Sequence, residues 1–548
     1  MRLAVWNRYP RVILAVLLLL YLAVSLRHLT TVPRVYEDEP WQASTGWKLA
    51  TAGVFGSDVF AGFSGMERRY YGFMPLHPLF LAAIFRVAGV GLLQGRLETV
   101  LLGLLTLVLT FSLARRLFAD ARIGLLAALM LITVRLTGLT PSQVSGILLL
   151  DMARIARYDM VVPVFGLAAL HAYLSARAQG RRRWYFCAGL LAGLSGLGHL
   201  YGCFWLPVLL VLAWWDGRDQ AAICDATPPR PMAAIGLMSL GFALAWLPYV
   251  LYVLGDLQSW RGQTRGYADR FDLLNLRWYL DNLRNEYHRY GPGLGPPRPT
   301  ILLRVGFWSA LVALPASLGA LLWRGLRHSD RAARVVVVPA IVFPLLFAAL
   351  IRLKLVNYTV AFVPIGAIAA AWGSVTLWTW LGRTPWSRWA HPALALLLAA
   401  ALAEGAMRIV ALEVAASTTT PYYAYIGQVR RFIPPGARVL GLHTYWFGLE
   451  DFDYRSWVVP LAWTDPSNEP AALTLDAALE RVAPDIVLVD QRMREYFAAP
   501  AYRGQENAAR FSQWLLRHDG RLIGRVDDAT YGLMEIYQVR RSSAGRRA

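Results

Sequence analysis

Three consecutive acids, Glu37, Asp38 and Glu39, stand shortly after the first long apolar run of the chain and lead into Pro40-Trp41-Gln42-Ala43. Adjacent carboxylates repel, which raises the pKa of one of them and makes it a candidate base. The plainer alternative is a solvated acidic turn, with Glu39 capping a helix that begins at Pro40. A further acid, Asp159, opens an apolar stretch in Arg154-Ile155-Ala156-Arg157-Tyr158-Asp159-Met160. Its ordinary explanation is a first-turn acid that complements the helix dipole.

Candidate anion-binding groups recur at the ends of other apolar stretches, in Gly198-His199-Leu200-Tyr201-Gly202 and in Arg352-Leu353-Lys354-Leu355-Val356-Asn357-Tyr358. A lone histidine near a membrane interface is usually structural. Lys354 with Arg352 concentrates positive charge where a lipid phosphate would sit, against the alternative of simple snorkelling.

The elements that must hold these groups are membrane spans. The chain has 548 residues, 56% of them apolar and only 16% charged, too apolar for an ordinary soluble protein of this size. The net charge of +20 is distributed as short arginine runs between apolar segments, a topology signal and not the basic patch of a nucleic-acid binder. Cys187, Cys203 and Cys224 lack metal-ligand spacing and fall in or beside apolar segments, so they read as packing residues.

Eleven segments read as spans, near 12–27, 97–114, 122–138, 159–176, 184–198, 202–215, 232–254, 301–323, 335–350, 358–380 and 390–413. The first follows Arg2, Arg8 and Arg11 without a small-residue cleavage site, so it reads as an uncleaved span with a cytoplasmic N-terminus. The stretch from Pro78 to Val90 is short and carries Arg86, so it is expected to lie along the interface. That choice gathers Arg115-Arg116, Arg177 with Arg181 to Arg183, Arg218, Arg324 with Arg327 and Arg331, and Arg383 with Arg388 on the N-terminal side.

The external segments are then a long first loop (28–96), a loop near 139–158, the turn at His199 to Tyr201, a loop of 255–300, the turn at Arg352 to Tyr358, and everything after about 414. Arg154 and Arg157 fall on this external side, where arginine is disfavoured, and so call for a reason such as an anionic ligand. After Ala415, strand-length runs (437–443, 484–490, 531–539) alternate with helix-like stretches (473–482, 506–516), the pattern of a small α/β domain. The expected domains are 1–415, in the membrane, and 416–548, external and soluble.

These motifs, in this order, resemble the GT-C glycosyltransferases that use polyprenyl-phosphate sugars, the protein O-mannosyltransferase and aminoarabinose-transferase-like group. Asp38-Glu39 with Ala43 matches the acidic motif of the first external loop. His77-Pro78-Leu79 and the region from Gly91 through Arg96 to Arg116 resemble the approach to the second span. Arg157-Tyr158-Asp159-Met160 resembles the second acidic site, and Lys354-Leu355-Val356-Asn357-Tyr358 matches a Lys-Leu-x-x-Tyr turn. The likeness covers most of residues 10–415, with His199-Leu200-Tyr201-Gly202 standing where many aminoarabinose transferases have Lys-Gly.

The resemblance implies an α-helical polytopic membrane protein of GT-C type, with about eleven spans, interfacial helices and a small C-terminal α/β domain, in the inner membrane of a bacterial cell. It implies inverting transfer of one sugar, hexosyl or pentosyl, from a polyprenyl phosphate to an acceptor hydroxyl. Asp38 would be the base, Glu39 would orient it or the acceptor, and Asp159 would position the sugar. Lys354, Arg157, His199, Tyr358 and Arg352 would hold the donor phosphate. The scheme requires no cofactor, although the acidic cluster leaves a divalent metal open. The alternatives are a transporter or flippase of lipid-linked sugars, against which stands the lack of a visible repeat, and a ligase or oligosaccharyl transferase acting on pyrophosphate-linked glycans.

Overall fold

The computed structural model describes residues 9–137, 143–220, 231–268, 270–294, 300–466, 472–499 and 503–540. Arg2, Arg8, Cys224 and residues 139–142 of the second expected loop lie outside them. Each of the eleven apolar segments is helical. Seven of these helices are long and apolar enough to cross a membrane, and the other four run for 13 to 19 residues. Helix α1 (Pro10–Leu26) starts on a proline whose missing N–H costs nothing there. Thr300 and Asp330 cap the helices Ile301–Arg327 and Arg331–Leu350 by accepting the Leu303 and Ala333 N–H groups.

Three boundaries differ from the sequence reading. The helix expected over 122–138 ends at Thr133. The spans expected from 202 and 358 are each preceded by a tight turn, Leu200–Phe204 and Val356–Ala361, so their regular helices begin at Trp205 and Val363. Tyr201 and Tyr358 therefore sit on turns at helix mouths.

Four arginine runs share helices with the acidic end of the molecule. Helix α2 (Asp38–Ala52) and helix α3 (Leu76–Ala88) precede helix α4 (Leu92–Phe118), which has Arg96 near its start and Arg115-Arg116 at its finish. Arg177 lies in the last turn of the helix that begins beside Asp159, Arg218 in the last turn of the one that begins after Tyr201, and Arg331 starts the one that ends before Lys354. Basic runs and candidate site residues thus occupy opposite ends of the same helices.

Among the described residues two hydrophobic cores form. One joins the long helices. The other joins the C-terminal region to the first loop through Val59, Phe60 and Met66, and through Leu81 and Phe85 of α3. At 13 residues, or about 20 Å, α3 is too short for a hydrocarbon layer of about 30 Å, and it packs on α2 instead. The contact is close at Gly46, where an added Cβ would meet Leu81 Cβ at 2.9 Å.

The C-terminal sheet has five strands in the order β2-β1-β3-β5-β4 (β1 Arg438–Gly441, β2 Asp453–Ser456, β3 Ile486–Val489, β4 Arg521–Asp528, β5 Gly532–Gln538). β1 pairs in parallel with β2 and β3, while β5 is antiparallel to β3 and β4. Strands β1, β3 and β5 are the three expected from sequence. β2 and β4 are additions: Asp-Tyr-Arg-Ser is too polar to read as a strand, and β4 is largely exposed.

Candidate active site

Each of the three consecutive acids meets a different arginine. Glu37 pairs with Arg492, from the helix that follows β3. Glu39 is fully buried and grips Arg96 through two hydrogen bonds of 2.8 Å. It also accepts the Ala156 N–H at 2.9 Å and the Tyr36 N–H at 2.7 Å. Arg96 in turn donates to the carbonyls of Leu29 and Pro33. Glu39 therefore ties α2 to α4 and to the Ala156 backbone, with both oxygens occupied. Its contacts fix the start of the helix that carries Asp38.

Asp38 lies between these extremes, with 21% of its side chain exposed against 43% for Glu37 and none for Glu39. Its Oδ2 lies 3.2 Å from Arg157 Nε, and the same nitrogen lies 3.2 Å from Asp159 Oδ2. Burial raises the Asp38 pKa above the ordinary carboxylate range; Arg157 opposes this, and Asp159, Glu37 and Glu39 reinforce it. Arg157 is buried, with its guanidinium over the rings of Tyr36 and Tyr158 at 4.9 and 5.0 Å. One of its nitrogens donates to Tyr158 Oη at 2.9 Å, while Nε and Nη1 are buried without a hydrogen bond. Buried donors of this kind suit an incoming anion.

Asp159 accepts the Tyr201 hydroxyl at 2.7 Å, and its Oδ2 is buried without a hydrogen bond. His199 packs between Tyr158 and Tyr201, with ring centroids at 4.6 and 3.9 Å, and meets Tyr358 at 5.4 Å. Burial, aided by Arg157, holds the His199 pKa well below its usual value. It is therefore neutral near pH 7, and any help it gives a phosphate is a hydrogen bond and not a charge.

The structure thus brings Asp38, Arg157, Asp159, His199 and Tyr358 together and leaves Lys354 and Arg352 to one side. Lys354 Nζ lies 2.8 Å from Glu286 and donates to the Ala348 carbonyl at 3.0 Å. Burial lowers its pKa, with Glu286 opposing. Arg352 is exposed on the same turn. Arg154 spends both terminal nitrogens on the backbone: it donates to the carbonyls of Val24, Ser25, Arg27 and Val32 at 2.7 to 2.9 Å, closing the end of α1. His77 is buried 3.0 Å from Glu98, which stands two residues along α4 from Arg96.

Sequence reasoning missed several neighbours. Arg289 is fully buried; it pairs with Glu286 at 2.6 Å, donates to the Leu355 carbonyl and covers the Phe347 ring at 4.9 Å. It therefore anchors the Lys354 turn. Tyr267 is half-buried near Asp38, and desolvation together with the Asp38 charge pushes its pKa up to about 12. Arg270, stacked on Tyr267 at 4.7 Å, acts electrostatically on Tyr358. These residues come from the long polar loop between spans, whose sequence has no motif spacing.

A scan against protein-family models finds no match, and a sequence search of curated proteins finds none. Solved structures do match. ArnT from Cupriavidus metallidurans bound to undecaprenyl phosphate superposes with a TM-score of 0.59 at 15% identity, over 98% of this chain and 99% of that one. The archaeal oligosaccharyltransferase AglB from Archaeoglobus fulgidus, in complex with an inhibitory peptide and a dolichol-phosphate, gives 0.58 at 12% identity, over 98% and 75%. Likeness at this identity is a statement about architecture. The chain is a polytopic α-helical membrane protein with the GT-C fold.

Proposed function

We propose that the protein is a glycosyltransferase that moves one sugar from a polyprenyl-phosphate donor to an acceptor hydroxyl, with inversion. Asp38 takes the proton of the acceptor hydroxyl, whose oxygen attacks the anomeric carbon. The bond from that carbon to the phosphate oxygen breaks, and the electron pair leaves with the phosphate. No general acid is needed, because a phosphate is already a good leaving group; cations must hold it as charge builds. Arg157 supplies unused buried donors beside Asp38, and Lys354 supplies a second charge if the phosphate displaces Glu286. Asp159, held by Tyr201, steadies Arg157 and the sugar.

The observation that carries this reading is the contrast at the start of α2: a carboxyl left partly open, with its pKa raised by burial, next to an arginine with unsatisfied buried N–H groups. The binding of undecaprenyl phosphate by ArnT and of dolichol-phosphate by AglB supports the same donor class. In this reading residues 416–548 form an external accessory domain, the N-terminus is cytoplasmic and the membrane is a bacterial inner membrane.

The test incubates the purified protein with radiolabelled polyprenyl-phosphate and polyprenyl-pyrophosphate sugars and candidate acceptors. Transfer from the monophosphate donors is expected, and Asp38→Asn should reduce it by about 10²–10⁴ while lipid binding persists. Transfer by Asp38→Asn at the wild-type rate would remove Asp38 from the role of base.

A further inference from the structure

A cavity of about 350 Å³ lies between α2 and the C-terminal sheet, away from the Asp38 cluster; its size falls in the range of small-molecule sites. Trp47, Lys48 and Thr51 of α2 form one wall, and the segment from Trp446 to Arg455 forms the other. Trp47 and Phe452 are only half-buried, so their rings are available as flat apolar surfaces. Asp58, Glu450 and Asp453 add three carboxylates, against two cations, Lys48 and Arg455.

Both cations are already engaged, Lys48 with Asp58 at 2.5 Å and Arg455 with Asp453 at 2.9 Å. Glu450 accepts the Gly448 N–H and, among the described residues, forms no ion pair. Burial holds its carboxyl above the usual range. The cavity therefore offers ring faces and a carboxyl with spare acceptor capacity, while its charges are close to balanced, because Asp453 also pairs with Arg438 at 2.5 Å.

We propose that this cavity is a glycan subsite: Trp47 and Phe452 stack on a sugar ring, Glu450 accepts its hydroxyls, and the sugar is neutral or amino-bearing. A sugar ring presents apolar C–H faces and a rim of hydroxyl donors, which is the complement of this lining. A phosphorylated or acidic sugar would meet Glu450, the lining carboxylate without an ion pair among the described residues. A peptide adding itself as a strand finds the way blocked, because the turn Asp58–Phe60 packs on edge strand β2 and its Asp58 carbonyl takes a hydrogen bond from Arg455.

Trp47 lies nine residues along α2 from Asp38, or about 14 Å along the helix axis. Nine residues also turn the helix by about 180°, so the cavity and Asp38 lie on opposite faces of α2, and only a glycan of several residues could occupy the one and serve as acceptor at the other. The acceptor role rests on the transfer reaction proposed above; the binding itself does not.

The test uses the full-length protein in detergent and needs no donor. Saturation-transfer NMR and tryptophan fluorescence are recorded with mannotriose and a chitosan trimer, each free and lipid-linked, with their phosphorylated counterparts, and with unstructured peptides. Saturable binding of an unphosphorylated trisaccharide is expected, weakened about tenfold or more in Glu450→Gln and retained in Asp38→Asn. Thr51→Trp, at an exposed position on the rim, should block binding without moving the unfolding temperature. Preference for the lipid-linked form would identify a glycolipid as the source, and equal binding a free glycan.

Absence of binding by every trisaccharide, preference for phosphorylated sugars or peptides, or binding unmoved by both Glu450→Gln and Thr51→Trp would overturn the subsite. Intact sugar binding without transfer from any polyprenyl-phosphate donor would sink the proposed reaction and leave the subsite standing.

Discussion

Glu39 and Asp38 leave the same turn of the same helix and face different demands. Glu39 has four donors on its two oxygens, at 2.7 to 2.9 Å, and no exposure. Asp38 has one arginine nitrogen at 3.2 Å and an open edge. The pair shows that burial alone does not mark a working carboxylate. A buried charge whose lone pairs are all satisfied holds the fold together, whereas one with lone pairs to spare remains available for chemistry.

The largest effect that would sharpen this contrast is expected from Glu39→Ala. It leaves the fully buried Arg96 without its partner and frees the Ala156 and Tyr36 N–H groups. Breaking a buried pair in this way costs about 3–5 kcal/mol, enough to lower the unfolding temperature sharply in detergent or to prevent recovery of folded protein. An unfolding temperature equal to that of the wild type would break the comparison, because Glu39 would then not be holding α2.

Asp38→Asn comes next and should show the opposite pattern, with transfer reduced by about 10²–10⁴, the usual contribution of a general base, and little change in unfolding temperature. The pH dependence follows from the same raised pKa. A base works only when ionised, so transfer should fall as pH is lowered through the Asp38 pKa, at a pH above the value of about 4 typical of a free carboxylate. Stability runs the other way. A folded-state pKa above the unfolded one adds stability below the unfolded pKa, and that contribution is lost as pH rises through the folded pKa. A pH–rate profile whose acid limb lies at or below the ordinary carboxylate value would refute the assignment.

Periodicity made the helices legible, since each apolar run had to be satisfied internally in a membrane. The arginine runs sorted the helix ends in the same way. The acids were legible as a cluster but not as individuals, because nothing in Glu37-Asp38-Glu39 says which of Arg492, Arg157 and Arg96 each will meet; those partners lie 57 to 455 residues away for Glu39 and Glu37. The partners of Arg154 were hidden for the same reason: four backbone carbonyls leave no trace in sequence. Arg289, Tyr267 and Glu286 were invisible in a polar loop without periodicity. The sharing of one core by the first loop and the C-terminal region was likewise hidden, since a loop read as a carrier of motifs gave no sign of packing against residues 400 positions later.

The smallest effect is expected from Tyr201→Phe, which tests how far the contrast extends beyond α2. Tyr201 touches Asp159 through its hydroxyl at 2.7 Å and keeps its ring against His199 and Tyr358. Deleting the hydroxyl removes one charge-assisted hydrogen bond and leaves the ring stack in place, a cost of about 1–3 kcal/mol in stability. Asp159 would then hold Arg157 with one fewer restraint, so transfer should drop by a modest factor, about 3- to 10-fold if roughly 1 kcal/mol of positioning is lost, with the acid limb of the pH profile unmoved. Tyr201 is a positioning residue in this account, acting through Asp159 on Arg157. A loss as large as that of Asp38→Asn, or a shifted acid limb, would place the Tyr201 hydroxyl on the substrate itself and erase the distinction between the acid that does chemistry and the groups that hold it.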